Sequence, residues 1–259
     1  MKAQRPKLNL IQPHCLLLVV LLITSVWARS ALASSDTISI KHATGHWPPY
    51  SMDLTKEDPG IDIDLVREIT RRTGIEIFQK KCSFKRCLAE GEVGGVDIVT
   101  GLGYTDERAR YLDYIQTPYS NVNVEFYVRK GDADLIQNYE DLYQLKVGRV
   151  VKSHYFEPFN SDNKIQSYEA SEESILLLML ANKRLDVIIG TNPNLDYEAL
   201  KLGLDGQFET TVYSPSSDVT LHLAFSRKSP FVNLKPEFER VLKEILKDGT
   251  LDEIHAKYK

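Results

Sequence analysis

Two short apolar runs share one plan. Residues 97–100 (DIVT) and 186–190 (DVIIG) each start on an aspartate, and each runs into a loop at a glycine, Gly101 and Gly190. Such brief unbroken runs read as buried strands, and each follows a helical pattern. Around the first run the order is a strand at 37–42, a helix at 60–74, a strand at 75–78 and a short helix at 82–90. The order β-α-β-α-β implies a mainly parallel sheet with helices on its faces. The second run sits in a similar series, with a short helix at 139–142, a strand at 146–151 and a helix at 171–184. Ser171 is the expected N-cap of that last helix, Glu172 and Glu173 suit its positive end, and residues 175–181 form its buried part. Two α/β lobes of one plan follow. In such sheets ligands sit at the carboxyl ends of the strands, so the loop at 101–108 is the first place to look for a site.

The remaining elements fit this plan. In the helix at 60–74, Leu65, Val66 and Ile69 make the buried stripe, Arg67, Glu68, Arg71 and Arg72 the wet face, and Gly74 the stop. Residues 123–129 and 220–226 read as further strands. Residues 236–247 give the clearest amphipathic helix, through Phe238, Val241, Leu242, Ile245 and Leu246. Gly249 ends it, and Thr250 with Glu253 suggests a capping box for a last short helix. The loop Gly45-His46-Trp47-Pro48-Pro49-Tyr50 cannot be helical, and its prolines are expected to hold it extended. Trp47 and Tyr50 there are either a local plug or the wall of a pocket. No long linker separates the halves, which suggests strands that cross between them.

With 42% apolar and 26% charged residues the chain is neither disordered nor a coiled coil, and its net charge of −4 leaves no basic footprint for nucleic acid. The average hides an uneven start. Residues 1–33 hold Lys2, Arg5, Lys7 and Arg29 and no acid, and residues 15–27 form a 13-residue apolar run. That run is too short to span a bilayer, which takes about 20 residues. With Ala31-Leu32-Ala33 behind it, the segment reads as a secretory signal peptide cleaved after Ala33. The mature chain would hold 226 residues, with 28 basic against 36 acidic and a net charge near −8. Cys15 leaves with the leader. Cys82 and Cys87 remain, and in an oxidising compartment they read as a local disulfide. Two thiols with no nearby histidine do not make a metal site. No Gly-x-Ser-x-Gly, His-Glu-x-x-His or phosphate-loop pattern occurs, and no metal or cofactor is implied.

Taken in order, several motifs resemble those of the family-three bacterial extracellular solute-binding proteins, the periplasmic receptors of amino-acid importers. They are Trp47-Pro48-Pro49-Tyr50, Gly60-Ile61-Asp62-Ile63-Asp64-Leu65, Asp97-Ile98-Val99 with Gly101, Thr105-Asp106-Glu107-Arg108, Pro118-Tyr119 and Asp248-Gly249-Thr250 with Ile254 and Tyr258. The stretch around Cys82, Arg86, Cys87 and Leu88 resembles a subgroup with a local cysteine pair. The resemblance implies a periplasmic-binding-protein-like fold of two α/β lobes joined by two hinge strands, with a ligand cleft between them. Residues 34–124 with 222–259 would form the first lobe and 125–221 the second.

The resemblance also implies a site. Arg108 matches the arginine that grips a ligand carboxylate, where its planar fork can make paired charge-assisted bonds. Read from the residues alone, it is as well a surface arginine paired with Asp106 or Glu107. Backbone groups around Gly101 and Gly103 would complete the carboxylate cradle, and Gly103 stands where relatives often carry a hydroxyl. Trp47 and Tyr50 would line the first lobe, with Phe84 reaching toward it. On the second lobe Ser153, His154, Thr191 and Asn192 match contact positions. Thr191 stands where relatives that bind α-amino acids carry an aspartate for the ammonium. A buried ammonium needs an anion, so Asp218 or Glu169 could substitute, or the ligand differs.

The expected function is capture of a small carboxylate-bearing solute by lobe closure, and its delivery to an ABC-type membrane permease by a monomeric periplasmic protein. Two alternatives stand beside it. One is an enzyme on the same fold, similar to the cyclohexadienyl dehydratases, which needs a general acid in the cleft; Glu172 and Glu173 read only as first-turn helix acids. The other is an orphan sensor acting through a separate partner.

Overall fold

A computed structural model describes residues 39–258. The expected signal peptide and its cleavage after Ala33 lie outside the described residues. Ten strands and seven α-helices alternate along the described chain: β1 (Ser39–Thr44), α1 (Ile61–Thr73), β2 (Glu76–Lys81), α2 (Phe84–Val93), β3 (Ile98–Leu102), α3 (Asp106–Ala109), β4 (Leu112–Tyr114) and β5 (Ser120–Arg129), then β6 (Val147–Val150), β7 (Ser167–Ala170), α4 (Glu173–Ala181), β8 (Val187–Asn192), α5 (Asn194–Lys201), β9 (Phe208–Thr210), β10 (Asp218–Ser226), α6 (Lys235–Lys247) and α7 (Thr250–Ala256).

The strand order is β2-β1-β3-β10-β5-β8-β6-β7, with β4 on β10 and β9 on β5. β1 pairs parallel with β2 and β3, and β6 pairs parallel with β7 and β8. These are the two α/β lobes, each with its own parallel ladder. The crossings are antiparallel. β10 pairs through His222, Ala224 and Phe225 with β3 and through its first four residues with β5, and β5 in turn pairs with β8. The fold is thus two lobes on two shared strands.

Each lobe closes its own core. One core gathers Ile40, Leu65, Val122, Leu221, Phe225, Phe238 and Ile245. Another gathers Val124, Phe126, Phe156, Val187 and Ile189. Val219 packs against both. The amphipathic helices behave as their spacing predicts: Leu65, Val66 and Ile69 of α1 are buried, as are Phe238, Val241, Leu242 and Ile245 of α6. Gly74 takes φ +70° and donates its N–H to the Thr70 carbonyl at 2.8 Å, closing α1 as a left-handed cap.

Several expectations need correction. The helix expected at 171–184 is α4, which begins only at Glu173 and ends at Ala181; its N-cap is Glu172, with no side-chain cap bond, so Ser171 plays no such part. Its apolar run is buried only at Leu176, Leu177 and Leu180, while Ile175 and Leu178 face solvent. The Trp47–Ser51 loop is a tight turn instead of an extended segment. Trp47 N–H donates to the Ser51 carbonyl at 2.8 Å and Ser51 N–H to the Trp47 carbonyl at 2.9 Å. Gly249 caps α7, and Thr250 bonds Asp248 in place of a capping box. The helix expected at 82–90 is α2, which begins at Phe84 because Cys82 is tied to Cys87 across the turn that leads into it.

Candidate functional site

Loops at the carboxyl ends of β1, β3, β6 and β8 meet the first turn of α4 around a cavity of about 100 Å³. The strand polarity therefore aims both parallel ladders at one place. The cavity is lined by Trp47, Phe84, Gly101, Gly103 and Arg108 from one side, and by Ser153, His154, Thr191, Glu172 and Glu173 from the other.

Arg108 is the central cation. It sits in α3, whose N-cap Thr105 accepts the Arg108 N–H at 3.1 Å, so the cap that starts this single turn also fixes the arginine. The side chain is 5% exposed. Its guanidinium lies 5.3 Å from the Phe84 ring centroid. It donates to the Gly103 carbonyl at 2.8 Å and to the Lys152 carbonyl at 2.9 Å. Burial pulls its pKa below the usual arginine range, with Tyr114 and Tyr111 working the other way. No carboxylate forms an ion pair with it among the described residues; Glu107 pairs instead with Lys152 Nζ at 3.6 Å. A buried guanidinium held by neutral carbonyls is receptive to an anion, because a charged acceptor makes the stronger bond. Lys152 presents its carbonyl from a left-handed conformation, φ +66°.

The glycine loop is built differently from a free cradle. The Gly101 N–H donates to Tyr119 Oη at 2.8 Å, and Tyr119 donates on to Asp62 at 2.7 Å. That N–H is therefore taken. Gly101 has φ +68°, and a Cβ there would meet the Trp47 ring at 3.3 Å. At Gly103 a Cβ would come within 2.7 Å of Val219 Cγ1. The β10 strand crosses where a hydroxyl-bearing side chain would stand, which accounts for the glycine.

Trp47 lines the cavity, and Tyr50 lies behind it. The two rings stack at 4.7 Å, Tyr50 is 2% exposed, and its hydroxyl is hydrogen-bonded to Ser120 at 2.8 Å. Of the two readings for this loop, Trp47 is the wall and Tyr50 the plug. Across the cavity, the Ser153 carbonyl accepts from Arg149 at 2.9 Å. His154 is hydrogen-bonded to Asn160 at 3.3 Å, and burial and Arg108 both lower its pKa. Thr191 donates to Asn194 Oδ1 at 2.7 Å. Asn192 is absent from the lining: its amide donates to Tyr127 and Asp196.

Sequence reading missed two buried acids that line the cavity, Asp62 and Glu173. Asp62 in α1 accepts bonds from Tyr119 and Thr100, yet burial pushes its pKa up to about 7. Thr100 is also hydrogen-bonded to His42 Nε2 at 2.9 Å, and burial lowers the His42 pKa to about 4. Glu173, at the first position of α4, is likewise pushed up to about 7 by burial, its own backbone N–H opposing the shift. Its Asp-or-Glu neighbours in sequence gave no sign of which would turn inward, because that depends on where the helix starts.

The arms of the cavity also touch each other. His46 Nε2 lies 2.7 Å from Glu198 in α5, and Asn194 Nδ2 donates to the Pro48 carbonyl at 2.6 Å. The disulfide Cys82–Cys87 closes the turn that contains Phe84. Among the described residues no group of three or more His, Cys, Asp or Glu could hold a metal, and no helix is long and apolar enough to cross a membrane.

Comparison with known proteins bears on this arrangement. The probable amino-acid-binding protein YxeM of Bacillus subtilis (strain 168) is 24% identical over 238 residues, covering 89% of this chain and 87% of that one. A probable histidine-binding protein of Campylobacter jejuni is 23% identical over 228 residues, covering 87% of this chain and 86% of that one. The solved structure of an ancestral arginine-binding protein bound to arginine superimposes with a TM-score of 0.73 at 24% identity, covering 85% of this chain and 97% of that one. Residues 40–259 match the description of the bacterial extracellular solute-binding proteins, family 3, and the chain belongs to that family.

Proposed function

We propose that this solute-binding protein captures a small carboxylate-bearing ligand, an amino acid or a relative of one, on Arg108. The observation that carries the reading is the guanidinium itself: buried, lining the cavity, and bonded to the carbonyls of Gly103 and Lys152 with no carboxylate paired to it among the described residues. A carboxylate entering the cavity offers the guanidinium a charged acceptor in place of neutral ones, and bonds between two charged groups are the shorter and stronger kind. Trp47 and Phe84 cover the apolar part of the ligand, with Ser153, His154 and Thr191 opposite. The lobes comprise residues 34–124 with 222–259 and residues 125–221, and they close over the ligand about β5 and β10. The protein works as a monomer in the periplasm after removal of residues 1–33, and it hands its ligand to an ABC-type permease.

The test is a thermal-shift screen of amino acids, dicarboxylates and amines, followed by calorimetry on the strongest binder. Arg108→Ala should abolish binding, and Arg108→Lys should keep only a small part, since an ammonium cannot make the paired bonds. Full affinity in Arg108→Ala would sink the site.

One observation favours a second reading. Two carboxyls with pKa values near 7 face the cavity, as a general acid requires. That is the group an enzyme resembling the cyclohexadienyl dehydratases needs. Turnover of prephenate by the purified protein would establish that reading; its absence at high enzyme concentration would remove it.

A further inference from the structure

Position 191, where an aspartate was expected, holds a threonine whose hydroxyl is committed to Asn194. If the ligand carries an ammonium, its anion must come from elsewhere. The acids can be sorted by place and partner. Asp218 in β10 and Glu169 in β7, the two substitutes that sequence suggests, are both exposed, and neither lines the cavity. Glu198 is buried but paired with His46. Asp62 lines the cavity, but Tyr119 and Thr100 already donate to it. Glu172 lines it too, half-buried. Glu173 differs from all of these. It is 9% exposed, it lines the cavity, and no cation pairs with it among the described residues. Its bond to its own backbone N–H leaves its carboxylate with spare acceptors.

We propose that Glu173 is the anionic partner for a ligand ammonium, so that the solute is an amine-bearing carboxylate clasped between Arg108 on one lobe and Glu173 on the other. The inference rests on Arg108 as the carboxylate site. It moves the ammonium contact from the strand end at 191 to the first turn of α4. Arg108 and Glu173 then carry opposite charges on opposite walls, and a zwitterion satisfies both buried groups at once. A carboxylate without an amine leaves Glu173 facing the bound ligand with no cation. The groups that act on Glu173 are Glu198 and Glu172, which disfavour its charge, and His46, which favours it. A ligand ammonium supplies what His46 gives only in part.

Pairing with an ammonium should also favour the ionised form of Glu173, which burial disfavours in the unbound protein. Binding near pH 7 should then release protons.

The test uses the mature protein with the proteinogenic L-amino acids, L-ornithine and L-cystine, and with the deaminated carboxylic acid of each binder. Calorimetry at pH 7 in two buffers of different ionisation enthalpy reads affinity and proton release together. The expected result is that an amino acid binds at least about 100-fold tighter than its deaminated counterpart, as truncating one partner of a buried charge pair implies. Glu173→Gln should erase that preference and the proton release while remaining folded by circular dichroism. Should Glu173→Gln fail to fold, the wild-type preference for an amino acid over its deaminated form still tests the proposal. Equal affinity for the amino acid and its deaminated form overturns the proposal and leaves the Arg108 reading intact. An unchanged preference in Glu173→Gln overturns it as well. Retained binding in Arg108→Ala overturns both. Loss of prephenate turnover in Glu173→Gln would make the residue a general acid and overturn its role as an ammonium partner.

Discussion

A carboxyl held at a pKa near 7 is costly in the ligand-free protein. For Glu173, moved from 4.5 to about 7, the cost at alkaline pH is on the order of 3 kcal/mol. The folded state binds the proton more tightly than the unfolded chain. The stability from that protonation is complete at low pH and is lost as pH rises through about 7. Asp62 behaves the same way, and His46, raised by Glu198, also loses its contribution as pH rises. His42, lowered to about 4, works against them below its unfolded value of 6.5, where the unfolded chain takes up a proton that the folded one refuses. The ligand-free Tm should therefore rise as pH falls from 8 to about 6.5. Glu173→Gln should raise the Tm at pH 8, and the gain should shrink toward pH 5. A pH-independent gain would mean that the carboxyl is not the strained group. At this scale the sequence pointed only where a motif carried the resemblance. Thr105-Asp106-Glu107-Arg108 singled out Arg108, which the structure places buried at the cavity. Glu173 was not singled out, because a first-turn glutamate looks the same whether it faces water or a cavity. The glycine at 103 looked like a missing hydroxyl until Val219 was found in the space.

Among the elements, long periodic helices were readable and short edge pieces were not. The alternation in α1 and α6 states which face is buried, and the structure buries it. β4 and β9 have three residues each, too few for periodicity to speak. α5 was missed because its apolar stripe is narrow and Pro193 precedes it. The start of α4 moved by two residues because no side chain caps it, and that small shift decides which acid turns inward. The element before α2 is held by a covalent tie instead. Cys82–Cys87 spans five positions and carries Phe84, which in turn covers the Arg108 guanidinium. A short loop gains about 2 kcal/mol from such a closure on the chain-entropy account. Reducing the bond, or Cys82→Ser with Cys87→Ser, should lower the Tm by several degrees and weaken ligand binding more than that loss of stability explains. An unaltered affinity in the double variant would separate the disulfide from the site.

At the scale of the whole molecule, the lobes are joined across the cavity by contacts of two kinds, buried hydrogen bonds and exposed ion pairs. His46 with Glu198, Asn194 with the Pro48 carbonyl, Arg108 with the Lys152 carbonyl and Lys152 with Glu107 link one rim of the cavity to the other. His46 and Lys152 are well exposed, and exposed pairs are typically worth no more than about 1 kcal/mol. Against them stands the freedom of two lobes joined by two strands. The order of the elements made the two lobes and their crossing strands legible. These rim contacts were not, since they join residues such as 46 and 198 that no local pattern relates. A ligand that bridges both walls adds to these contacts and so favours closure, because a ligand shifts an equilibrium only by its preference for one state. The radius of gyration from solution scattering should fall at saturating ligand. His46→Ala combined with Asn194→Ala should raise it in the ligand-free protein and weaken binding several-fold, while the saturated variant still reaches the compact value. A profile unmoved by ligand in the wild type would mean that the lobes do not close, and that the cavity fills without hinge motion about β5 and β10.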